Sequence, residues 1–446
     1  MKRFHILLMI FCSWAVLTAQ IFDPSLSVKL QSTLDSLQQS LGYRGISASV
    51  IIPGHGTWEG SSGFSYDIVA LQTDMRLAIY SITKTFTTGL AMKLVELGKL
   101  SLNDPVKKWL APIQYVDPNI TLKQLLSHRS GLYEVWNNPA LGDSIQADLA
   151  KIWSPLEVLS FLQPPVCSPG SCFNYTTGNF LVVGMIIEKA TGDQYLNQLR
   201  QYILDPLGLS ETFLSPDEAV PEPIAHGWKG GTVDIYNDPR EARWSTIWAG
   251  GALFSTAENT ARYYQKLFSG QLVSQNSVSQ MQNNELGIFQ YSWFGQTVWA
   301  HIGAGAGYRA MVSYDEATGI ATANLSNNPV NNQALEDVNK TLLKVTLDNL
   351  PPVETKTTLI RQDQPILFSP NPITKGVSLK LEGIEFPAGL ILLNIHGKIL
   401  RRWHLNENSV RWDGQDQKGH SLASGIYVFK YFSDVKNGYK TIVFNQ

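Results

Sequence analysis

The pattern of apolar residues changes near residue 350, and this change limits the chain to a fold with at least two domains. Before that point, runs with helical spacing alternate with strand-like runs, as residues 24–41 and 46–52 show. After Pro351 and Pro352 the chain consists of short alternating runs separated by Gly, Asn and Asp, which is typical of a small β-sandwich. We therefore predict a first domain over residues 20–350, a linker over residues 351–362 and a β-sandwich over residues 363–446.

The first residues of the chain have the features of an export signal. Lys2 and Arg3 precede an apolar run over residues 6–17, and Thr18-Ala19-Gln20 follows, so residues 1–19 are predicted to be a signal peptide cut after Ala19. The run is too short to span a bilayer, and no later segment approaches the roughly 20 apolar residues that a membrane helix needs. We expect an exported protein without a transmembrane segment, either secreted, held at the cell surface or periplasmic.

The charge of the chain argues against a nucleic-acid partner. Its 446 residues contain 35 Lys and Arg against 37 Asp and Glu, which gives a formal net charge of −2 without a basic run. We therefore expect a small-molecule or peptide-like substrate and no nucleic acid.

Two cysteines remain once Cys12 is assigned to the signal peptide. Cys167 and Cys172 flank Ser-Pro-Gly-Ser, whose Pro-Gly pair favours a turn that brings the two sulfurs together. An oxidising compartment would keep them joined as a disulfide, and two free thiols are the alternative. A metal site is disfavoured because no pair of histidines lies nearby, and no cofactor is expected.

Ser81-Ile-Thr-Lys84 places a hydroxyl and an amine three residues apart at the start of a predicted helix that ends at Gly98. Its apolar residues recur at helical spacing, so the serine and the lysine should lie together on the opposite face. A serine hydroxyl is a poor nucleophile at neutral pH, and a neutral lysine amine can take its proton. Ser433-Asp-Val-Lys436 has the same spacing but lies between two strand-like runs, which indicates a hairpin. The first motif therefore predicts a hydrolase that works through an acyl-enzyme.

Five segments of the chain carry a further signal. In chain order they are YSITKTF with Ser81 and Lys84, LLSHRSGL, FNYTTGNFLVVG with Tyr175, GGALFSTAENTARYY, and HIGAGAGY beginning at His301. Together they resemble the superfamily of serine β-lactamases, penicillin-binding D-Ala-D-Ala carboxypeptidases and esterases, particularly its class C-like branch. The resemblance covers roughly residues 40 to 345 and implies an α+β fold, with an antiparallel sheet flanked by helices and an all-helical region, ahead of the small C-terminal β-sandwich.

The resemblance implies a role for each matching residue. Ser81 would attack a carbonyl carbon, and Lys84 would take or relay its proton. Tyr175 would pass the proton to the leaving group and later activate water, provided that a cation such as Lys84 stabilises its phenolate. His128 and Arg129, in LLSHRSGL, are expected to be loop scaffolding.

His301 stands where many relatives carry the lysine of Lys-Thr-Gly, and we expect it to assist catalysis with a charge that titrates near neutrality. The backbone N–H groups of Ser81 and Ala304 would form the oxyanion hole. Gly303 would leave room for the substrate along the strand edge. These assignments complete a catalytic set of Ser81, Lys84, Tyr175 and His301.

Thr177 departs from the family pattern, because relatives usually carry the asparagine of Tyr-x-Asn there. That asparagine binds an acylamino group of the substrate, so its loss makes simple ester turnover more plausible than β-lactam or peptide turnover. The sequence predicts a secreted serine hydrolase acting on an ester, amide or β-lactam, with esterase, D-Ala-D-Ala carboxypeptidase-like or β-lactamase activity. The alternative is a catalytically weak or inactive binding or sensor protein that kept the fold.

The C-terminal segment resembles a sorting domain of type IX secretion. SPNP, NIHGKIL, VRWDG and LASGIYVFKY occur in the expected order over roughly the last 80 residues. The resemblance implies that the secretion machinery is a partner of this domain. A carbohydrate-binding or adhesion module is the alternative.

Overall fold

The computed structural model describes residues 22–350, 367–369, 373–375, 378–382, 388–394, 399–405, 409–433 and 437–445. The chain divides into two compact units, residues 1–349 and residues 350–446. The predicted signal peptide and linker lie outside the described residues. In the part of the chain that is described, no helix combines the length and the apolar composition that crossing a membrane requires.

A seven-stranded sheet, in the order β3-β2-β1-β12-β11-β10-β9, forms the centre of the first unit. All its neighbouring strands are antiparallel. Smaller sheets are formed by β4, β8 and β5, and by β6 and β7. The strands are β1 Gly45–Ile52, β2 Gly56–Tyr66, β3 Val69–Ala70, β4 Leu77–Ala78, β5 Phe213–Leu214, β6 Trp228–Lys229, β7 Val233–Asp234, β8 Leu253–Ser255, β9 Phe289–Trp293, β10 Gln296–Ala304, β11 Arg309–Asp315 and β12 Ala321–Ser326.

The helices of this unit cover both faces of the sheet and form a helical region beside it. They are α1 Pro24–Ser40, α2 Thr83–Glu96, α3 Leu122–Leu126, α4 Pro139–Ala147, α5 Pro155–Leu159, α6 Thr177–Thr191, α7 Tyr195–Leu199, α8 Glu241–Ser245, α9 Ala257–Phe268, α10 Gln275–Asn284 and α11 Asn332–Asn349. Short 3-10 helices occur at Tyr80–Ile82, Val106–Lys108, Val135–Asn137 and Trp248–Gly250, and a π-helical turn at Arg200–Leu204.

Two successive residues of β11 show how the helices are placed. Ser313 accepts a hydrogen bond from the Asn339 side chain of α11 at 3.1 Å. The next residue, Tyr314, stacks its ring on Phe268 of α9 with 4.8 Å between centroids. Because successive side chains of a strand point to opposite faces, α11 and α9 cover opposite faces of the sheet. The predicted α+β class, with an antiparallel sheet flanked by helices, is confirmed.

Helix α2 differs from its prediction in burial and in its first residue. Ser81 lies in the 3-10 turn before it, and the α-helix begins at Thr83. Apolar and polar residues are buried alike, with Lys84 and Phe86 both fully inaccessible to solvent. The expectation of one apolar and one polar face was wrong, because α2 is packed from all sides by α6, α7 and neighbouring turns.

The second unit consists of two sheets with a common core. A three-stranded sheet has the order β13-β15-β18, and a five-stranded sheet has the order β14-β20-β19-β16-β17. Val410 of the first sheet lies in the same buried cluster as Leu390 and Phe444 of the second, as the predicted β-sandwich requires. The strands are β13 Leu367–Ser369, β14 Ile373–Thr374, β15 Ser378–Glu382, β16 Ala388–Leu393, β17 Ile399–Leu405, β18 Ser409–Arg411, β19 Gly425–Ser433 and β20 Asn437–Asn445.

The second Ser-x-x-Lys motif begins at the last residue of a strand of this unit. Ser433 is the last residue of β19, which pairs with β20 in antiparallel register. This agrees with the predicted hairpin. Lys436 lies outside the described residues.

Candidate active site

Ser81 and Lys84 are in direct contact at the start of α2. The Nζ atom of Lys84 lies 2.9 Å from Ser81 Oγ and donates a second hydrogen bond to the carbonyl oxygen of Gly250 at 2.7 Å. The Lys84 side chain is fully buried, so its amine is held by these two partners and screened from bulk water. In its neutral form this amine can accept the proton of the Ser81 hydroxyl.

The turn that carries Ser81 is fixed by the end of strand β10. Tyr80 has a φ of 43°, which is unusual for a residue with a side chain. Its hydroxyl donates to the carbonyl of Ala306 at 2.7 Å, and a Cβ atom on Gly305 would lie 2.0 Å from its ring. The two residues that follow β10 therefore pack directly on the residue that precedes the serine.

The structure gives Gly303 a different neighbour from the one predicted. A Cβ atom at this position would lie 2.0 Å from the carbonyl oxygen of Ile79. The space beside Gly303 is thus filled by the backbone before Ser81, and Gly303 does not line the cavity described below. Its missing side chain lets β10 approach the nucleophile turn.

Tyr175 lies beside the buried amine. The centroid of its ring is 5.0 Å from Lys84 Nζ, and the imidazole of His128 stacks on the ring with 4.2 Å between centroids. Within the part of the chain that the structure describes, the Tyr175 hydroxyl has no hydrogen-bond partner. The structure thus brings Ser81, Lys84 and Tyr175 together, with the Lys84 amine in contact with Ser81 Oγ and near the ring of Tyr175.

His301 is neutral, which corrects the expectation that its charge titrates near neutrality. Burial, with a smaller contribution from the Lys84 charge, lowers the pKa of His301 to about 3. Its Nδ1 atom donates to the carbonyl of Ile302 at 2.8 Å, and Nε2 is buried without a partner. The ring is 6.3 Å from that of Tyr175 between centroids and does not line the cavity.

A cavity of about 520 Å³ opens onto Ser81. Of the residues predicted to act in the site, Ser81, Tyr175, Thr177 and Ala304 line it, while Lys84 lies behind the serine. The remaining lining residues are Tyr80, Glu134, Trp136, Ile145, Gln146, Lys229, Arg243, Ile247, Gly250, Gly251, Gly305 and Ala306.

Thr177 is the first residue of α6, and its backbone is held by a carboxylate. Its N–H donates to Glu134 Oε2 at 2.6 Å, and the other carboxylate oxygen of Glu134 accepts from the N–H of Trp136 at 3.2 Å. An acidic group near the N-terminus of a helix is favourable for the helix dipole. Glu134 therefore fixes the position of Thr177 on the cavity wall.

The predicted disulfide between Cys167 and Cys172 is present. The loop that it closes is hydrogen-bonded to the segment containing His128: Gly170 N–H donates to Arg129 O at 2.7 Å. Shortly after the loop, Asn174 N–H donates to His128 O at 2.8 Å. The disulfide loop is thereby tied to the residues that hold Tyr175.

Sequence reasoning missed several residues of the site. Nothing in the residue types marked the Gly250 carbonyl as a partner of Lys84, because a backbone acceptor has no signature of its own. Glu134 and Arg243 lie outside the five segments that carry the family resemblance. Tyr80 is the first residue of the motif YSITKTF, and its position next to Ser81 was the signal that could have identified it as a site residue.

The fold and the site define a class: an α+β protein whose buried helix begins with a contacting serine and lysine beside a tyrosine. A model of the beta-lactamase family, named "Beta-lactamase", matches residues 30–346. The chain belongs to this family, and the predicted enzyme class, a β-lactamase-related serine hydrolase, is confirmed at that level.

The chain is similar to known proteins whose names describe different activities. It is similar to Penicillin-binding protein 4 of Amycolatopsis lactamdurans, with 25% identity over 310 residues, which are 62% of this chain and 78% of that protein. It is 28% identical over 202 residues to Teichoic acid D-alanine hydrolase of Staphylococcus aureus, covering 44% of this chain and 47% of that protein. The chain thus spans about half the length of this second relative.

A solved structure agrees with the observed fold. The D-amino acid amidase of Ochrobactrum anthropi SV3, in complex with L-phenylalanine amide, superimposes with a TM-score of 0.64 at 25% identity. The match covers 73% of this chain and 99% of the amidase.

Proposed function

We propose that this chain hydrolyses an ester or amide through an acyl-enzyme on Ser81. The observation that carries the proposal is the contact of 2.9 Å between the fully buried Lys84 amine and Ser81 Oγ. A buried amine that also donates to a carbonyl has a fixed orientation, and such fixed geometry is what an activated serine requires.

The proposed reaction has two halves. In the first, Ser81 Oγ bonds to the carbonyl carbon while Lys84 takes the hydroxyl proton, and the carbonyl oxygen becomes an oxyanion. The N–H groups of Ser81 and Ala304 stabilise this charge. The bond to the leaving group then breaks, and the proton reaches that group through Tyr175. In the second half, water loses a proton along the same route, attacks the acyl carbon and releases the acid, and Ser81 regains its hydrogen.

Esters or amides of D-amino acids are the proposed substrate class. This choice is supported by the names of two relatives, a D-alanine hydrolase and a D-amino acid amidase. The absence of the family asparagine at Thr177 makes a β-lactam or an acylated peptide a less suitable substrate. His301, being neutral, is proposed to support the ring of Tyr175 and not to supply a charge.

Covalent labelling tests the proposal. The wild-type protein is incubated with a fluorophosphonate, and we expect a mass increase on Ser81 that S81A abolishes. S433A, which alters the other Ser-x-x-Lys motif, is the matched control and should label like the wild type. K84M, which keeps the volume and loses the amine, should lower kcat/KM for a p-nitrophenyl ester by about 1,000-fold.

A panel of substrates identifies the activity. D-alanine p-nitroanilide, p-nitrophenyl acetate, nitrocefin and a D-Ala-D-Ala peptide are compared by kcat/KM, with S81A as the blank. Labelling of Ser81 without turnover of any of the four would favour the alternative of a sensor protein. Absence of labelling would contradict the proposed function.

We further propose that the protein is exported through residues 1–19 and delivered by type IX secretion through residues 363–446. The sequence motifs support this. Removing residues 363–446 should retain the protein in the periplasm of a host with that machinery, which cell fractionation measures.

A further inference from the structure

The cavity at Ser81 carries more positive than negative charge. Glu134, Lys229 and Arg243 are its charged lining residues. The Glu134 carboxylate is engaged by the N–H groups of Thr177 and Trp136, whereas the two cations come from different elements, Lys229 from β6 and Arg243 from α8. The two cations of the cavity therefore come from elements other than α2, the helix that carries Lys84.

Arg243 is held at a fixed place relative to the nucleophile. The next residue, Trp244, is buried and packs its ring on Tyr80 with 5.1 Å between centroids. The same indole meets the ring of Phe254 at 4.9 Å. Since Tyr80 directly precedes Ser81, the packing of Trp244 fixes the backbone at Arg243 relative to the serine.

The guanidinium of Arg243 has unused donors. Among the described residues its ionic partner is Asp238, at 3.4 Å from one terminal nitrogen, which is a long and therefore weak contact. The side chain is 17% exposed, so its charge is less screened than that of a surface arginine. A guanidinium offers five N–H donors in a planar fork that matches carboxylate and phosphate oxygens.

We propose that Arg243, supported by Lys229, binds an anionic group of the substrate, a carboxylate or a phosphate, while Ser81 attacks. This rests on the proposed function, because it assigns the anion to the substrate of that reaction.

Two series of esters test the inference, each comparing an anion with a neutral group of the same shape. In the acyl series, glutaryl and glutaramyl p-nitrophenyl esters differ only in a carboxylate against an amide. In the leaving-group series, phenyl acetates carry a meta carboxylate, phosphonate or carboxamide. We expect the wild type to prefer an anionic ester over its amide at least about tenfold in kcat/KM in one of the series. The carboxylate and phosphonate arms decide which anion the site favours.

Three variants assign the preference to Arg243. R243Q should reduce the ratio of anionic to neutral turnover at least about tenfold, mainly through KM. D238N, which removes the competing carboxylate, should raise the ratio. R240Q is the matched control, because Arg240 belongs to the same segment and does not line the cavity. It should keep the wild-type ratio.

The outcomes separate this inference from the proposed function. If the wild type turns over neutral esters without preferring anions, or if R243Q keeps the preference, the anion site is wrong and the hydrolase stands. If Ser81 does not react, calorimetry on S81A with the corresponding anilides measures binding alone. If S81A binds an anionic anilide more tightly than its neutral amide, and S81A/R243Q does not, the anion site is supported. Equal binding of the anionic and neutral anilides by S81A overturns it.

Discussion

The imidazole of His128 lies against the phenol of Tyr175, with 4.2 Å between the ring centroids and 26° between their planes. Its Nδ1 atom accepts a hydrogen bond of 3.2 Å from the N–H of Thr176, the next residue. Burial, with smaller contributions from Lys84 and His301, holds the pKa of His128 well below its usual range, so the ring is neutral and Nδ1 can accept. The His128 ring therefore contacts the side chain of Tyr175 and also holds the backbone next to it, at Thr176.

Replacing His128 should impair turnover more than binding. H128F keeps a ring under Tyr175 and loses the acceptor, whereas H128A loses both, so we expect kcat to fall about 10-fold and about 100-fold respectively. Steady-state kinetics with a p-nitrophenyl ester measure both constants, and a shape change in the pH profile of kcat separates misplacement of Tyr175 from lost stability. R129Q, at the exposed neighbour, serves as the control. Full kcat in H128A would contradict the positioning role.

Acid should destabilise the protein through His301. Its pKa is about 3 in the folded state, and that of an imidazole in an unfolded chain is about 6.5. The unfolded state therefore binds the proton first as the pH falls, and stability is lost from about pH 6.5 downward. Each pH unit costs about 1.4 kcal/mol, or about 2 kcal/mol in total by pH 5.

Urea unfolding followed by tryptophan fluorescence, from about pH 8 to pH 5, measures this loss. H301Q lacks the titrating group, so its free energy of unfolding should fall less steeply below pH 6.5 than that of the wild type. H55Q, at an exposed histidine, is the control and should keep the wild-type slope. Equal slopes in H301Q and the wild type would contradict the prediction, because they would show that His301 binds a proton as easily in the folded state as in the unfolded state.

The sequence predicted those parts of the site that are close in the chain. Ser81 and Lys84 are three residues apart at a helix start, so local geometry alone places them together. The same holds for the disulfide, because a Pro-Gly turn lies between Cys167 and Cys172. Helix α9 shows the limit of local patterns: Ser255 and Thr256 are both residue types that cap helices, and in the structure it is the Thr256 side chain that accepts from the N–H of Asn259.

What the sequence could not predict depends on packing between distant segments. Tyr175 lies about 90 residues from Lys84 in the chain, and the resemblance to a family, not a periodicity, pointed to it. The neutral state of His301 follows from burial that no local pattern encodes, and the acceptor role of Gly250 belongs to the backbone. Gly303 was predicted to leave room for the substrate, whereas the tertiary structure places the Ile79 carbonyl in that space.

A methyl group at Gly303 should disrupt the site. In G303A the new Cβ would meet the Ile79 carbonyl at 2.0 Å, so β10 or the turn before Ser81 has to move. We expect kcat/KM to fall about 100-fold, because displacement of Ala304 also displaces one oxyanion donor. G142A makes the same chemical change as the control, because Gly142 is a partly exposed residue of α4 and no other described atom lies within 4 Å of the new Cβ. It should keep activity and stabilise the fold by about 0.5 to 1 kcal/mol.

Removing the disulfide should act on stability and on catalysis together. C167S/C172S opens a short loop, which on the chain-entropy model lowers the free energy of unfolding by about 2 kcal/mol. The loop is hydrogen-bonded to Arg129 and followed by Asn174, which donates to His128 O, so a looser loop also loosens the support of Tyr175. We therefore expect C167S/C172S to have a lower kcat than the wild type and a KM that changes by a smaller factor. Treating the wild type with dithiothreitol should reproduce both effects, and the double variant should not respond to it. An equal response of the variant to the reductant would mean that the disulfide is not the group through which the reductant acts.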